Sequence, residues 1–393
     1  MIRLERNIDV RTFDVEATVA VGRDRPEFLA VARLAADLRR PVDGRTIARE
    51  LLGGLPEQTG WRVLDRCVAL GLLEQQGDRG PAVLSESGAR ALEQGAVLVP
   101  EEGVWRFYLV EDPLVDVSLV HVARLEAQTA KDERNALYEA KREGASRPTP
   151  GAPLPGALAQ PALVRRFLTS IATGKGFELR HIARRGESGP SGTLRLILEW
   201  PEASPPQLIL RGQLPQDGQD ARSRVDHRAG TPAACASIPY DGVWRALLIA
   251  ARGVQAAELA RWHDLAGHRV LPVAFDDGLR ELSRRTMRLD VDVPPTNMNP
   301  LGRFDATRLG DVQVVPRSDA DAQAWAEWLQ WDALDRYATP AWLTKMAEEL
   351  TRRFPYHRPR LPNSSALLNR ALRAPMEPRA RFLLAPADLG LWS

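Results

Sequence analysis

Three amphipathic helical patterns follow one another at residues 26–40, 44–52 and 57–70, and this succession constrains the fold more than any other feature. In the first pattern, Phe28, Val31 and Leu34 begin one apolar stripe with helical spacing. Asp43 stands where its carboxylate can cap the second helix. The three stripes therefore predict one compact helical module near the start of the chain.

A predicted hairpin and a fourth helix follow these patterns. Residues 71–74 lead into an extended segment, and Gly77-Asp78-Arg79-Gly80 has the composition of a hairpin turn. Residues 82–84 form the expected return strand. Ser85 stands where a side-chain cap would start a closing helix over residues 85–92.

Two short runs in this region resemble bacterial winged-helix proteins such as the antibiotic-resistance-type transcription regulators. They are Ala69-Leu70-Gly71-Leu72-Leu73-Glu74 and Leu84-Ser85-Glu86-Ser87-Gly88-Ala89-Arg90-Ala91-Leu92. That family often has Gly-Leu-Leu before the wing and Leu-Thr/Ser-Glu-x-Gly after it. The resemblance implies a winged helix-turn-helix over residues 26–99. It leaves two roles open, because winged helices bind DNA in some proteins and dock other proteins in others.

The outer face of the third helix supplies the candidate DNA-binding residues. Gln58, Thr59, Arg62 and Arg66 fall on this face, and their side chains can bond base edges and phosphates of double-stranded DNA. Arg79, at the tip of the wing, is expected to contact the flanking phosphate backbone.

The overall charge of the chain neither requires nor excludes nucleic acid. The formal net charge is +2, and residues 25–95 contain ten arginines and ten acidic residues. No field of the whole molecule therefore draws the chain onto nucleic acid or anionic lipid. DNA binding would depend on local arginines, and protein docking remains the alternative.

Cysteine usage and hydropathy predict a cytoplasmic protein without a membrane partner. The two cysteines, Cys67 and Cys235, cannot build a disulfide framework or a cysteine-rich zinc site. Charged Arg3, Glu5 and Arg6 follow Met1 where a leader would be apolar, and no apolar run reaches the length of a membrane span.

The pattern along the chain predicts a multidomain α+β protein. The expected divisions are a winged-helix domain with flanking strands, a charged helix with a Pro/Gly-rich linker, a mixed α/β middle domain and a Trp-rich α-helical C-terminal region, at residues 1–125, 126–160, 161–316 and 317–393. Within the middle domain we expect a short helix at 161–173, an antiparallel meander through 177–212 and a polar loop at 213–231.

Aromatic residues are densest in the C-terminal region. Trp325, Trp328 and Trp331 recur every three residues, so a helix would place them on one slowly turning face. Two interpretations are open for this face. It is either a core packed on the middle domain or a docking site for a protein partner or a second copy of the chain, because Trp dominates interface hot spots.

Two carboxylate pairs define a possible catalytic centre. Asp290 and Asp292 share one face of a predicted strand, and Asp276 and Asp277 follow another strand. Carboxylates of this kind can hold Mg²⁺ in a nuclease or a nucleotide hydrolase. A solvent-facing strand edge and an ordinary turn explain them equally well. No complete phosphate-loop, zinc or nucleophile motif accompanies them, so we assign no catalytic residue, metal or cofactor.

Together these patterns predict a non-enzymatic DNA-binding scaffold, an accessory subunit of a bacterial DNA-processing or phage-defence assembly. Two alternatives remain. One is a transcription regulator with a C-terminal sensor domain, and the other is the metal-dependent enzyme that would use the four aspartates.

Overall fold

The chain folds as a mixed α+β protein. The computed structural model describes residues 1–75, 77, 80–125, 156, 158, 163–182, 187–215 and 222–392. These residues form two compact units, a first unit of residues 5–236 and a second unit of residues 1–4 and 237–393. Across the described ranges, no helix has the length and apolar character needed to cross a membrane.

The first unit combines a helical module with a large sheet. Its helices are α1 (Pro26–Leu38), α2 (Gly44–Glu50), α3 (Glu57–Ala69) and α4 (Glu86–Gln94). Its strands are β1 (Ile2–Arg23), which begins in the second unit, β2 (Leu73–Gln75), β3 (Ala82–Leu84), β4 (Val97–Val110), β5 (Leu119–Arg124), β6 (Phe167–Thr169), β7 (Gly176–Ile182), β8 (Glu187–Ser188), β9 (Gly192–Trp200), β10 (Gln207–Pro215) and β11 (Arg222–Ala229).

The ladder between β1 and β4 positions the helical module. These antiparallel strands stay in register from Val10 opposite Val110 to Arg23 opposite Val97. Everything between them in sequence, from α1 to α4, is therefore inserted at one end of the ladder. The sheet continues in the order β11-β10-β9-β1-β4-β5, and β7 and β8 also pair with β1.

The two halves of β1 bury opposite faces of the sheet. Ile8 and Val10 are buried in the first half, whereas Val15 and Val19 are buried in the second, so the buried parity changes along the strand. The second half joins a core built with Phe107 and neighbouring apolar residues of β4, β5 and β7. A single long strand thus serves cores on both sides of the sheet.

The helical module has a core of its own. Its buried members are Val31, Ala35, Val42, Ile47, Leu64, Cys67, Leu70, Leu72, Leu73, Ala82, Ala91 and Val97. They come from all four helices, from the β2–β3 hairpin and from the first residue of β4. Burial raises the pKa of the Cys67 thiol to about 12, so this cysteine is an inert core residue.

The second unit packs helices with a small mixed sheet. Its helices are α5 (Tyr240–Arg252), α6 (Ala256–Ala266), α7 (Glu281–Thr286), α8 (Asp319–Asp332), α9 (Pro340–Thr351), α10 (Ser364–Arg373) and α11 (Arg381–Asp388). Its strands are β12 (Val270–Val273), β13 (Arg288–Val293), β14 (Thr296–Met298), β15 (Gly302–Phe304) and β16 (Thr307–Pro316). Strand β16 is central, parallel to β12 and antiparallel to β13.

The domain limits differ from those expected from the sequence. Strands before and after the predicted linker at 126–160 belong to one sheet, and the compact units divide between residues 236 and 237. The predicted C-terminal region at 317–393 shares a unit with residues 237–316. The linker itself, apart from residues 156 and 158, lies outside the described residues. The Pro/Gly pattern is local, so it could not show that strands before and after the linker join the same sheet.

Two local predictions in the middle region were wrong. The helix expected at 161–173 is replaced, in its described part, by strand β6 and a turn. The polar loop expected at 213–231 contains the end of β10 and the whole of β11. Polar side chains suit β11 because it is an edge strand with one solvent-facing side.

Candidate nucleic-acid interface

An unusually close crossing holds α3 against α2. A Cβ atom added at Gly60 would lie 1.9 Å from the carbonyl oxygen of Gly44, and one added at Gly44 would lie 2.4 Å from the Trp61 ring. Only glycine permits this approach, since any side chain would overlap the backbone or the indole. The orientation of α3 is therefore set by backbone-to-backbone packing.

The two faces of α3 have different environments. Gly60, Leu64 and Cys67 are buried at helical spacing. Gln58 is exposed one turn before Arg62, and the two lie on the face opposite the buried residues. This division follows directly from the amphipathic pattern.

The remaining candidates on α3 complete its outer face. Arg66 is exposed, whereas Thr59 is half-buried and less available than the sequence predicts. Neither Arg62 nor Arg66 has an ion-pair partner among the described residues. Their guanidinium groups are therefore free to bind an external anion.

Acidic residues on the same helix moderate its charge. Glu57 receives a hydrogen bond of 2.9 Å from Arg45 at the start of α2, so its charge is compensated. Asp65 is exposed beside Arg62 and Arg66. The outer face thus has a modest positive excess concentrated on two arginines.

The hairpin predicted to be a wing lies only in part within the described residues. Strands β2 and β3 pair from Leu73 opposite Leu84 to Gln75 opposite Ala82. Val42, between α1 and α2, exchanges two backbone hydrogen bonds of 2.8 Å with Ala82. These bonds tie the hairpin to the helices. Arg79, the predicted phosphate contact at the tip, lies outside the described residues.

Side-chain caps fix the starts of α2 and α4, the helices before and after α3. Asp43 accepts the Thr46 N–H at 2.8 Å, and this bond holds the pKa of Asp43 below its usual value. Ser85 accepts the Gly88 N–H at 2.9 Å and donates to the Gly71 carbonyl at 2.6 Å. Both caps were predicted from the sequence, and together they give the module defined helix starts.

The tryptophans of α8 belong to the core rather than to an open docking face. Trp325 is 0% exposed, and its indole N–H donates to the Arg284 carbonyl at 3.0 Å. Trp331 is 8% exposed and lies under the guanidinium of Arg370, 4.0 Å from the ring centroid. Trp328 is half-buried. Of the two open interpretations, burial supports the core for Trp325 and Trp331, and their assignment as partner-binding residues is corrected.

Three of the four aspartates considered for metal binding have partners within the chain. Asp290 accepts the Arg308 guanidinium at 2.8 Å and the Asp311 N–H at 3.1 Å, which hold its pKa below the usual value. Asp292 is 3.8 Å from Arg308. Asp277 accepts the Ala274 N–H in a turn at 3.2 Å. Within the described ranges, no group of three or more His, Cys, Asp or Glu residues is placed to hold a metal ion.

A buried serine–histidine pair in the first unit was not predicted. His121 Nδ1 lies 2.7 Å from Ser170 Oγ. Burial lowers the pKa of His121 to about 4, so the imidazole is neutral near pH 7. The Thr173 N–H also donates to Ser170 Oγ at 3.1 Å. With exposures of 3% and 5%, the pair is closed to a substrate and serves the core.

The first unit also contains a cavity of about 320 Å³ beside β5, β6, β10 and β11. Its lining mixes apolar side chains with Asp116, Arg166 and His227. Among the described lining residues, no polar side chain is both fully buried and unpartnered. The cavity therefore identifies no ligand by itself.

Comparison with protein-family models, with curated proteins and with solved structures finds no match for this chain.

Proposed function

We propose that this chain is a cytoplasmic, non-enzymatic scaffold that binds double-stranded DNA through a winged helix-turn-helix at residues 26–99. Helix α3 would be the reading helix and the β2–β3 hairpin the wing. The setting that we propose is an accessory subunit of a bacterial DNA-processing or phage-defence assembly. A partner protein, or a second copy of the chain, would bind elsewhere on its surface.

The exposed face of α3 is the observation that carries the proposal. Gln58, Arg62 and Arg66 lie together on a helix whose other face is packed against α2. A helix presented in this way fits the major groove, where arginine bonds guanine and glutamine bonds adenine. The absence of described ion-pair partners for the two arginines favours an external anion.

The rigid placement of α3 supports the same conclusion. A binding helix that is fixed before contact loses little conformational freedom when it binds. The Gly44–Gly60 crossing and the cap at Asp43 provide this rigidity. A surface helix without a binding partner would need neither the close crossing nor the cap.

Duplex binding by the full chain tests the proposal. We expect the double variant Arg62→Ala, Arg66→Ala to lose on the order of 10-fold or more in affinity near 0.1 M salt. Its salt slope should become shallower by about 2 units, because two phosphate contacts are removed. Fluorescence anisotropy with a labelled duplex across a salt series measures both quantities.

The matched control removes the same charge elsewhere. Arg252 on α5 and Arg261 on α6 are exposed arginines of the second unit. Their double alanine variant should bind duplex as the wild type does. Equal binding by wild type and the α3 variant would exclude α3 as the reader. A wild-type chain that binds no duplex at low salt would instead support protein docking by the module.

A further inference from the structure

The end of the chain is strongly basic. Residues 351–393 contain eight arginines and two acidic residues, whereas the whole chain has a net charge of only +2. Arg352, Arg358, Arg360 and Arg373 are exposed there, and none has a described ion-pair partner. This surface therefore has a stronger local positive excess than the outer face of α3.

An extended segment at residues 356–362, here called the arginine strap, is fastened along α8. Gln323 donates to the Arg360 carbonyl at 2.7 Å and accepts the Arg360 N–H at 2.8 Å. About two turns further along, Gln330 donates to the Pro362 carbonyl at 2.9 Å. These bonds fix the main chain of the strap, so its side chains project from a rigid base.

His357 fastens the other end of the strap. Its Nδ1 is 2.7 Å from an Asp319 carboxylate oxygen and its Nε2 is 2.9 Å from the Pro316 carbonyl. The Asp319 carboxylate, whose side chain is 93% exposed, therefore lies beside this end of the strap.

The alternation of the strap directs its two arginines outward together. Pro359 is buried, whereas Arg358 and Arg360 on either side of it are exposed. Because burial alternates along these three residues, the two guanidinium groups both lie on the solvent side. They form a pair of planar donors on a fixed backbone.

A polar groove of about 470 Å³ runs beside this pair. It is lined by Asp319, Gln323, Tyr356, His357, Arg358, Pro359 and Arg360. A neighbouring open groove brings in Arg352, and also Glu348. Across the two grooves, the three arginines outnumber the two carboxylates, Asp319 and Glu348.

We propose that the arginine strap binds the phosphate backbone of DNA, as a contact separate from α3. Guanidinium groups match phosphate oxygens in geometry and stay charged at every physiological pH. A membrane surface is disfavoured because the groove has no exposed large apolar side chain to insert. The contact would not depend on base sequence, since only the backbone is touched.

The experiment compares three double variants of the full chain, each losing two arginines. They are Arg358→Ala with Arg360→Ala in the strap, Arg62→Ala with Arg66→Ala in α3, and the control Arg252→Ala with Arg261→Ala. Affinity and salt slope are measured by anisotropy with a duplex and with a single strand of equal length. Circular dichroism checks that each variant is folded.

We expect the strap variant to lose roughly 10- to 100-fold in duplex affinity near 0.1 M salt, with a slope shallower by about 2 units. The charge-preserving variant Arg358→Lys, Arg360→Lys should retain most of that slope. The loss should be the same for duplexes of unrelated sequence. A greater loss on the single strand would assign the strap to that form of DNA.

The outcomes separate this inference from the proposed function. If the strap variant loses affinity and the α3 variant does not, the strap inference stands and the assignment of α3 fails. A strap variant that binds both forms of DNA with wild-type affinity and slope overturns the inference. Competition by polyglutamate as effective as competition by DNA would also overturn it, in favour of an acidic protein partner.

Discussion

Replacement of Gly60 by alanine tests how α3 is held. The new Cβ would lie 1.9 Å from the Gly44 carbonyl oxygen and 3.1 Å from the Ala48 nitrogen. Both are backbone atoms, which cannot rotate away as a side chain can. Helices α2 and α3 would have to move apart by more than an ångström, and the core around Leu64 would loosen with them.

The magnitude of the effect follows from two opposing contributions. Overpacking of this kind costs about 1–3 kcal/mol, and rigid backbone on both sides places it near the upper end. Alanine favours a helix over glycine by about 1 kcal/mol. The net destabilisation is then about 2 kcal/mol, which corresponds to a fall of roughly 4–8 °C in Tm for a unit of this size.

Thermal denaturation and hydrogen exchange of the α3 amides measure this change. Exchange should accelerate in α2 and α3 first, and duplex affinity should fall because the helix is no longer fixed. Gly242→Ala is the matched control, since Gly242 lies in the first turn of α5 with only Pro239 side-chain atoms nearby. A Gly60→Ala chain with wild-type Tm and wild-type exchange would refute the close crossing.

Two further predictions concern the cores. Burial lowers the pKa of His121 to about 4 from its ordinary value of 6.5. The stability of the first unit should therefore be complete above pH 6.5, decline by about 3 kcal/mol as the pH falls to 4 and then level off. Denaturant unfolding across this range should show a smaller decline in His121→Gln than in the wild type, because burial also lowers the pKa of His227 in the same unit; equal declines would contradict the assignment. Trp325→Ala should cost the second unit about 3–5 kcal/mol in thermal unfolding, because a fully buried indole is lost. Half-buried Trp328→Ala should cost clearly less, and equal losses would argue against the packing of α8.

Local patterns predicted the helices and strands well where the polar face of the pattern is the face exposed to solvent. The helices expected at 26–40 and 57–70 appear as α1 and α3. Of the antiparallel meander expected at 177–212, the strands β7, β9 and β10 are present, but only β9 and β10 pair with each other, whereas β7 pairs with β1 and β6. The outer face of α3 was also predictable, since Gln58, Arg62 and Arg66 are polar at helical spacing. Short-range periodicity carries this information because neighbouring turns of one helix share a face.

The sequence alone could have predicted the charge of the arginine strap but not its position in the fold. A count of charges by segment reveals the basic end of the chain, which an average over the whole sequence conceals. The fastening of the strap could not be predicted, because Gln323 and Arg360 are 37 residues apart and no periodicity joins them.

By itself, the sequence determined the α+β class, the helical module with its capped ends and the polar face of α3. Tertiary structure decided which strands pair and which aromatic residues are buried. Val10 meets Val110 across an entire inserted module, and Trp325 lies in the core although its spacing suited a docking face equally well. Local periodicity sets which face of an element is apolar, but only packing between distant segments determines what covers that face.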